Sequence, residues 1–308
     1  MIGPEDIRTA ALRIAPYLRQ TPVVQLEAGA LCDAPVALKL EQMQHTGSFK
    51  VRGAFNSILA GTVGEAGVVA ASGGNHGAAV AYAATKLGVK ATVFTMAFAG
   101  QVKIDRMRHF GAEVIVMDAP TSEVLEAFAA HAKKTGALAI HPYDAPLTMA
   151  GQGTLALEIE RQLPDIDTLC VSVGGGGLIG GIASWYGDRI KMLAVETEGT
   201  AAYAAILRDG PDATITPTGI SASALGASSI GVLPREAMAR AEVRSIVVSD
   251  ADVVAAQRRL WDKVRVIAEP GAATALAALT SGAYQPDKDE RVGVLICGGN
   301  AEPGWFLA

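Results

Sequence analysis

In the run His45-Thr46-Gly47-Ser48-Phe49-Lys50-Val51-Arg52-Gly53 a single lysine lies between apolar neighbours, two residues before an arginine. A lysine amine becomes a nucleophile toward carbonyl groups when burial or a nearby cation lowers its pKa. Phe49 and Val51 supply apolar surroundings, and Arg52 could add positive potential. On its own such a lysine is more often a solvated residue at the start of a helix. Two further stretches change that reading: Ser72-Gly73-Gly74-Asn75-His76-Gly77 and Gly174-Gly175-Gly176-Gly177-Leu178.

Each stretch sits between a strand-like and a helix-like run. Val68–Ser72 is rich in β-branched residues, and Ala78–Leu87 has helical spacing. Thr168–Val173 reads as a strand, and Leu178-Ile179-Gly180-Gly181-Ile182-Ala183 opens a helix. Glycines let backbone N–H groups turn toward an anion, and a helix N-terminus adds its dipole. The Ser72–Gly77 loop suits a carboxylate, with Ser72 and Asn75 as side-chain donors. His76 could join them or be a structural residue satisfied by backbone. The four glycines suit a phosphate. An amine for an aldehyde and a cradle for a phosphate together imply pyridoxal phosphate. A rival exists, since Gly175-Gly176-Gly177-Leu178-Ile179-Gly180 fits the G-x-G-x-x-G pattern of dinucleotide folds. Glu196 follows about twenty residues on, where a ribose-binding acid belongs. That rival leaves Lys50 and the Ser72–Gly77 loop without a task.

The alternation continues along the chain. Ala91–Met96, Glu113–Met117, Lys191–Glu196, Ser245–Ser249 and Arg291–Ile296 read as strands. Val102–Phe110, Asp250–Val264 and Pro270–Thr280 read as helices, with Gly88 and Gly111 as helix stops. Strand–helix alternation implies an α/β fold of mainly parallel sheets covered on both faces. No long polar linker or repeat separates domains, so two interleaved units are expected. The expected division is residues 1–64 with 145–308 as a large cofactor-binding unit, and 65–144 as a smaller inserted one.

Composition narrows the function classes. The chain has 308 residues, 50% hydrophobic and only 5% aromatic, with a net charge of −5. That charge gives no footprint for nucleic acid or an anionic membrane. Cys32, Cys170 and Cys297 are far apart and match no metal spacing, and the five histidines are scattered, so no metal site is expected. A reducing cytoplasm is the default compartment. The start, Met1-Ile2-Gly3-Pro4-Glu5-Asp6, lacks the basic and apolar segments of a signal peptide.

The three stretches together resemble the fold type II pyridoxal-phosphate enzymes, and within them the serine/threonine dehydratase family, which includes the serine racemases. The resemblance extends to Leu38-Lys39-Leu40-Glu41, Arg106–Val116, His141-Pro142-Tyr143-Asp144, Ala150-Gly151-Gln152-Gly153-Thr154, Glu269-Pro270-Gly271-Ala272 and Cys297-Gly298-Gly299-Asn300, in that order. It implies that Lys50 forms the Schiff base with the cofactor and that Phe49 packs beside the ring. It implies that Ser72, Asn75 and His76 bind the substrate carboxylate, with Asn75 also on the cofactor's phenolic oxygen. Gly174, Gly175, Gly176, Gly177 and Leu178 would hold the phosphate. Glu269 would lie near substrate and ring, and Cys297 would face the ring nitrogen. The implied activity is dehydration and deamination of an L-β-hydroxy amino acid, L-threonine or L-serine. Serine racemisation and dehydration of 3-hydroxyaspartate or 3-phenylserine are the alternatives. A homodimer is the implied assembly.

Departures from the family pattern carry information. Cys297 stands where relatives often have serine, and a thiol is a weaker hydrogen-bond partner than a hydroxyl. Gly73 stands where the racemases carry a serine that works on the face opposite the lysine, which disfavours racemisation. Many relatives bind a divalent cation with a glutamate matching Glu196 and an aspartate six residues on. Here the second position is Ala202, so that metal site is not expected. Thr218-Gly219-Ile220-Ser221-Ala222 differs from the A-D-G run of relatives and could reshape the site. The chain stops soon after Asn300, so feedback through an added regulatory domain is not expected.

Overall fold

The computed structural model describes residues 2–301. Among them ten strands form two sheets: β1 Val23–Leu26, β2 Val36–Lys39, β3 Val68–Ala71, β4 Ala91–Met96, β5 Glu113–Met117, β6 Leu138–Ala139, β7 Thr168–Ser172, β8 Lys191–Thr197, β9 Arg244–Val248 and β10 Val292–Leu295. The larger sheet has the order β1-β2-β10-β7-β8-β9, the smaller β5-β4-β3-β6. All pairings are parallel except β1 with β2. Every residue of β7 and β10 is buried, the pattern of strands covered by helices on both faces. The chain is thus α/β, as the alternation requires.

Boundaries move by a residue or two where side chains have other work. The strand expected to run through Ser249 stops at Val248, because Ser249 caps the helix Asp250–Val264. Its Oγ accepts from the Asp252 N–H at 3.2 Å, and the Asp252 carboxylate accepts from the Ser249 N–H at 2.9 Å. The helix expected from Ala78 begins at Asn75 and runs to Lys86. The helix expected from Leu178 begins at Gly177, after Gly176 turns with φ +87°, a conformation open to glycine. Helices Pro146–Gln162 and Gly177–Tyr186 approach closely, since a Cβ on Gly181 would lie 2.5 Å from the Met149 carbonyl oxygen.

All four strands of the smaller sheet fall within residues 65–144. Its core is completed from outside that range. Ile14 and, on the helix Lys50–Ala60, Val51, Ala54, Phe55 and Ile58 join Val68, Val80, Val93 and Met107 in one buried cluster. The helix that begins at Lys50 therefore belongs to the packing of both sheets, with Gly53 against Gln152 and Thr148 of helix Pro146–Gln162 on its other side.

Candidate active site

In an open parallel sheet, ligands sit beyond the carboxyl ends of strands where the strand order reverses. In the larger sheet that point lies between β10 and β7. In the smaller sheet it lies between β3 and β6. The loop after β7 carries Gly174–Gly177, the loop after β10 carries Cys297, the loop after β3 carries Asn75, and the loop after β6 carries Pro142 and Tyr143. All four loops reach one cavity, which Lys50, Phe49 and Glu269 also line.

Lys50 is the first residue of its helix. The loop before it is zipped to the segment after β10. Phe49 N–H donates to the Cys297 carbonyl at 3.1 Å, and Gly299 N–H donates to the Gly47 carbonyl at 2.9 Å. The Lys50 amine donates to the Pro142 carbonyl at 2.9 Å and lies 5.1 Å from the Phe49 ring centroid. Desolvation lowers its pKa to about 8, against the opposing pull of Cys297 and Glu269. An amine with that pKa is partly unprotonated near neutrality and can act as nucleophile or base.

The glycine loop is a cradle that side chains would fill. A Cβ on Gly175 would lie 2.4 Å from the Tyr143 ring, and one on Gly177 would lie 2.7 Å from the Tyr143 Cα. A Cβ on Gly176 would meet Pro234 at 2.8 Å, and one on Gly174 would meet the Leu225 backbone at 3.1 Å. The first N–H groups of helix Gly177–Tyr186, including that of Leu178, have no acceptor within the helix. The loop lines the cavity, and free N–H groups of this kind are able to bind an anion such as phosphate.

Glu269, Asn75 and Cys297 close the other side. Asn75 Nδ2 donates to Glu269 Oε1 at 2.7 Å, a bond between elements of the two sheets. Burial raises the Glu269 pKa to about 7, although the Asn75 bond and the cations Lys103, Arg106 and Lys50 oppose it. Burial raises the Cys297 pKa, with Glu269 adding to it, so the group stays a thiol.

These residues fit pyridoxal phosphate, with an amine of lowered pKa, a glycine loop at a helix N-terminus and a neutral thiol at one buried cavity. A sequence model described as pyridoxal-phosphate dependent enzyme matches residues 14–298. The chain belongs to this pyridoxal-phosphate dependent enzyme family. Its relatives include an L-threonine ammonia-lyase of Thermotoga maritima, 33% identical over 98% of this chain and 76% of the relative. A serine racemase of Oryza sativa subsp. indica is 35% identical over 97% of this chain and 91% of the relative. The structure of maize serine racemase superposes with a TM-score of 0.93 at 33% identity, covering 99% of this chain and 95% of that one. The fold is therefore that of the fold type II pyridoxal-phosphate enzymes.

For this pyridoxal-phosphate enzyme the structure gathers Phe49, Lys50, Asn75, Gly174 to Gly177, Leu178, Glu269 and Cys297 at one cavity. Ser72 and His76 are the exceptions. Ser72 Oγ accepts from the Gly74 N–H at 3.1 Å, which shapes the loop. His76 is buried with Nε2 2.9 Å from the Ile140 carbonyl, and burial, then Lys50, lowers its pKa to about 3. It is neutral and donates to that carbonyl, so its side chain is structural. The Ser72 N–H is given to the Phe94 carbonyl at 2.9 Å, so what this loop offers an anion is the backbone N–H groups, that of His76 among them, at the start of helix Asn75–Lys86.

The expectation that Arg52 adds positive potential at Lys50 is corrected. Its guanidinium turns into a buried cluster, with Nε 2.5 Å from Glu41 Oε1 and Nη2 2.8 Å from Glu158 Oε2. Lys39 Nζ also binds Glu158 at 2.5 Å. Two cations and two carboxylates cancel, so little field escapes toward Lys50. Glu196, weighed as a ribose or metal ligand, instead accepts the N–H groups of Tyr203 at 2.7 Å and Ala204 at 2.9 Å. It caps the helix Ala202–Asp209. No cluster of three or more metal-ligating side chains occurs among the described residues. Sequence reasoning missed Tyr143, Pro142 and Asn300 as parts of the site. Tyr143 lay inside a family-like run, but no motif says that its ring will rest on the glycine loop.

Proposed function

We propose that this chain is a pyridoxal-phosphate-dependent ammonia-lyase. It would convert L-threonine, L-serine or both to a 2-oxo acid and ammonia. The observation that carries the reading is the Lys50 amine, lowered to about 8, in a cavity shared by the glycine loop, Asn75 and Cys297. The name of the Thermotoga maritima relative supports it. Pyridoxal phosphate, when bound, supplies an electron sink that weakens the Cα–H bond of an amino acid.

The chain's own residues do the rest. The backbone of the Ser72–Gly77 loop would pin the substrate carboxylate, and Asn75 would donate to the cofactor's phenolic oxygen. Gly174–Gly177 with Leu178 hold the phosphate, and Phe49 screens one side from water. The Cys297 thiol would be the partner of the ring nitrogen; being neutral and not a carboxylate, it would not hold a proton there. Weak electron withdrawal suits rapid loss of a β-hydroxyl over reactions that need a long-lived carbanion. Lys50 takes the α-proton and can return a proton to the departing hydroxyl.

Serine racemisation is the second reading, favoured by the rice and maize relatives. Against it stands Gly73, which has no side chain to deliver a proton from the other face. Release of 2-oxo acid is measured with L-serine, L-threonine, L-threo-3-hydroxyaspartate and L-threo-3-phenylserine offered separately. Oxo acid from serine or threonine supports the lyase. D-Serine without oxo acid would sink it in favour of the racemase. Oxo acid from only one of the other two would move the substrate assignment. The same reading includes residues 65–144 as a unit inserted between 1–64 and 145–308, the last seven of which lie outside the described residues. It also includes a cytoplasmic homodimer, which light scattering on the purified protein tests. No described helix is long and apolar enough to cross a membrane.

A further inference from the structure

The Asn75 amide owes its orientation to atoms outside the cavity. Thr46 has φ +61°, left-handed for a residue with a branched side chain, and this turn presents its carbonyl to Asn300. Asn300 Nδ2 donates to that carbonyl at 2.9 Å. A carbonyl only accepts, so the atom of Asn300 facing it must be the nitrogen. The same nitrogen lies 2.6 Å from Asn75, so the Asn75 atom there must be the oxygen, Oδ1. The Asn75 nitrogen is thereby turned to the cavity, where it meets Glu269. Glu269 alone would not settle the matter. Its pKa of about 7 lets it present either an acceptor or a protonated oxygen. Room for Asn300 is made by Gly47, where a Cβ would lie 2.4 Å from Asn300 Oδ1.

We infer that Asn300 is a positioning residue that keeps the donor end of Asn75 on the cavity and ties helix Asn75–Lys86 to the loop before Lys50. The inference rests on the reading above, in which the cavity takes pyridoxal phosphate and Asn75 serves its phenolic oxygen. Asn300→Asp replaces the donor by an acceptor of nearly the same shape, so the Asn75 amide turns over and offers its oxygen to the cavity. Asn300→Ala leaves the amide free to turn, and decides the question if the aspartate variant does not fold.

The test titrates cofactor-free protein with pyridoxal phosphate by fluorescence and follows the pH midpoint of the visible band in the loaded protein. Asn300→Asp should weaken cofactor binding about tenfold or more, the size expected for losing one hydrogen bond to a charged group. Asn300→Ala should weaken it less. The midpoint should rise by about half a unit or more in both, because an anion that loses a donor holds its proton more tightly. Wild-type affinity and midpoint in the variants, or a fall in thermal stability alone, would overturn the inference. A wild-type protein that takes up no cofactor would sink the cofactor reading itself, and this inference with it.

Discussion

At the scale of single residues, Lys50 stood out only in company with stretches elsewhere in the chain, since alone it reads as a solvated lysine at a helix start. A lysine flanked by Phe49 and Val51, with anion-binding loops elsewhere in the chain, points to carbonyl chemistry. Lys50→Ala should reduce turnover by ~10⁴-fold or more, as loss of both nucleophile and base demands, and a 2-oxo acid assay on the loaded variant reads it. Arg52 was misread because its partners Glu41 and Glu158 lie 11 and 106 residues away, and pairing at such spacings is set by neither helical nor strand periodicity. Asn300 and Tyr143 act through contacts of the same long-range kind. Gly73 offers a direct check on the racemase reading. A Cβ there would meet Ala99 and Met96 no closer than 3.5 Å, so Gly73→Ser should fold normally. If D-serine formation rises in that variant, the missing hydroxyl was what held racemisation back. Glu269 gives a pH prediction. Its folded pKa of about 7 lies above the ordinary carboxyl value of 4.5, so the folded state binds the extra proton between the two. That stability is present below pH 4.5 and is lost as pH rises through 7. In cofactor-free protein, Glu269→Gln should flatten part of the decline in melting temperature over that window. An unchanged pH slope would show that the carboxyl is not protonated there.

At the scale of elements, the central strands were the easiest to read. β7 and β10 are buried on both faces and present short runs rich in valine and leucine, bounded by glycines or charges. The edge elements β1 and β6, and β2 beside β1, were not anticipated. β6 spans two residues, Leu138 and Ala139, too few to show any periodicity. The glycine loop was legible as an anion cradle, but what makes each glycine necessary lies elsewhere in the fold. Gly177→Ala would push a Cβ into the backbone of Tyr143, which cannot rotate away as a side chain can. It should therefore lower cofactor affinity more than Gly175→Ala, whose Cβ meets only the Tyr143 ring; equilibrium titration of the two variants compares them. The buried cluster under the Lys50 helix makes the complementary prediction. Arg52→Met leaves Glu41, fully buried, without its main partner. The expected loss of stability is about 3–5 kcal/mol, measured by urea denaturation, with Glu158→Gln less damaging because Glu158 is partly solvated.

At the scale of the molecule, two sheets of unequal size point their strand-order reversals at one seam. The smaller sheet has four strands, and its core borrows Ile14, Val51, Ala54, Phe55 and Ile58 from segments outside residues 65–144. The larger sheet has the more extensive core. Amide protons of β3 and β4 should exchange faster than those of β7 and β8 by sub-global opening, and cofactor should slow the former more than the latter. Mass-spectrometric hydrogen exchange on both forms reads this, and equal protection in the two sheets would argue against a separately opening unit. The position of β10 has a consequence for how the protein is made. Among the described residues it is the last strand in chain order, yet it lies between β2 and β7 and bonds to both. Until residues 292–295 are synthesised, two strands wait with open edges, the state most prone to pairing with a neighbouring nascent chain. Nor can the loop before Lys50 settle earlier, since Phe49 and Gly47 are held by Cys297 and Gly299. The reactive amine is made long before the strand that sets it in place.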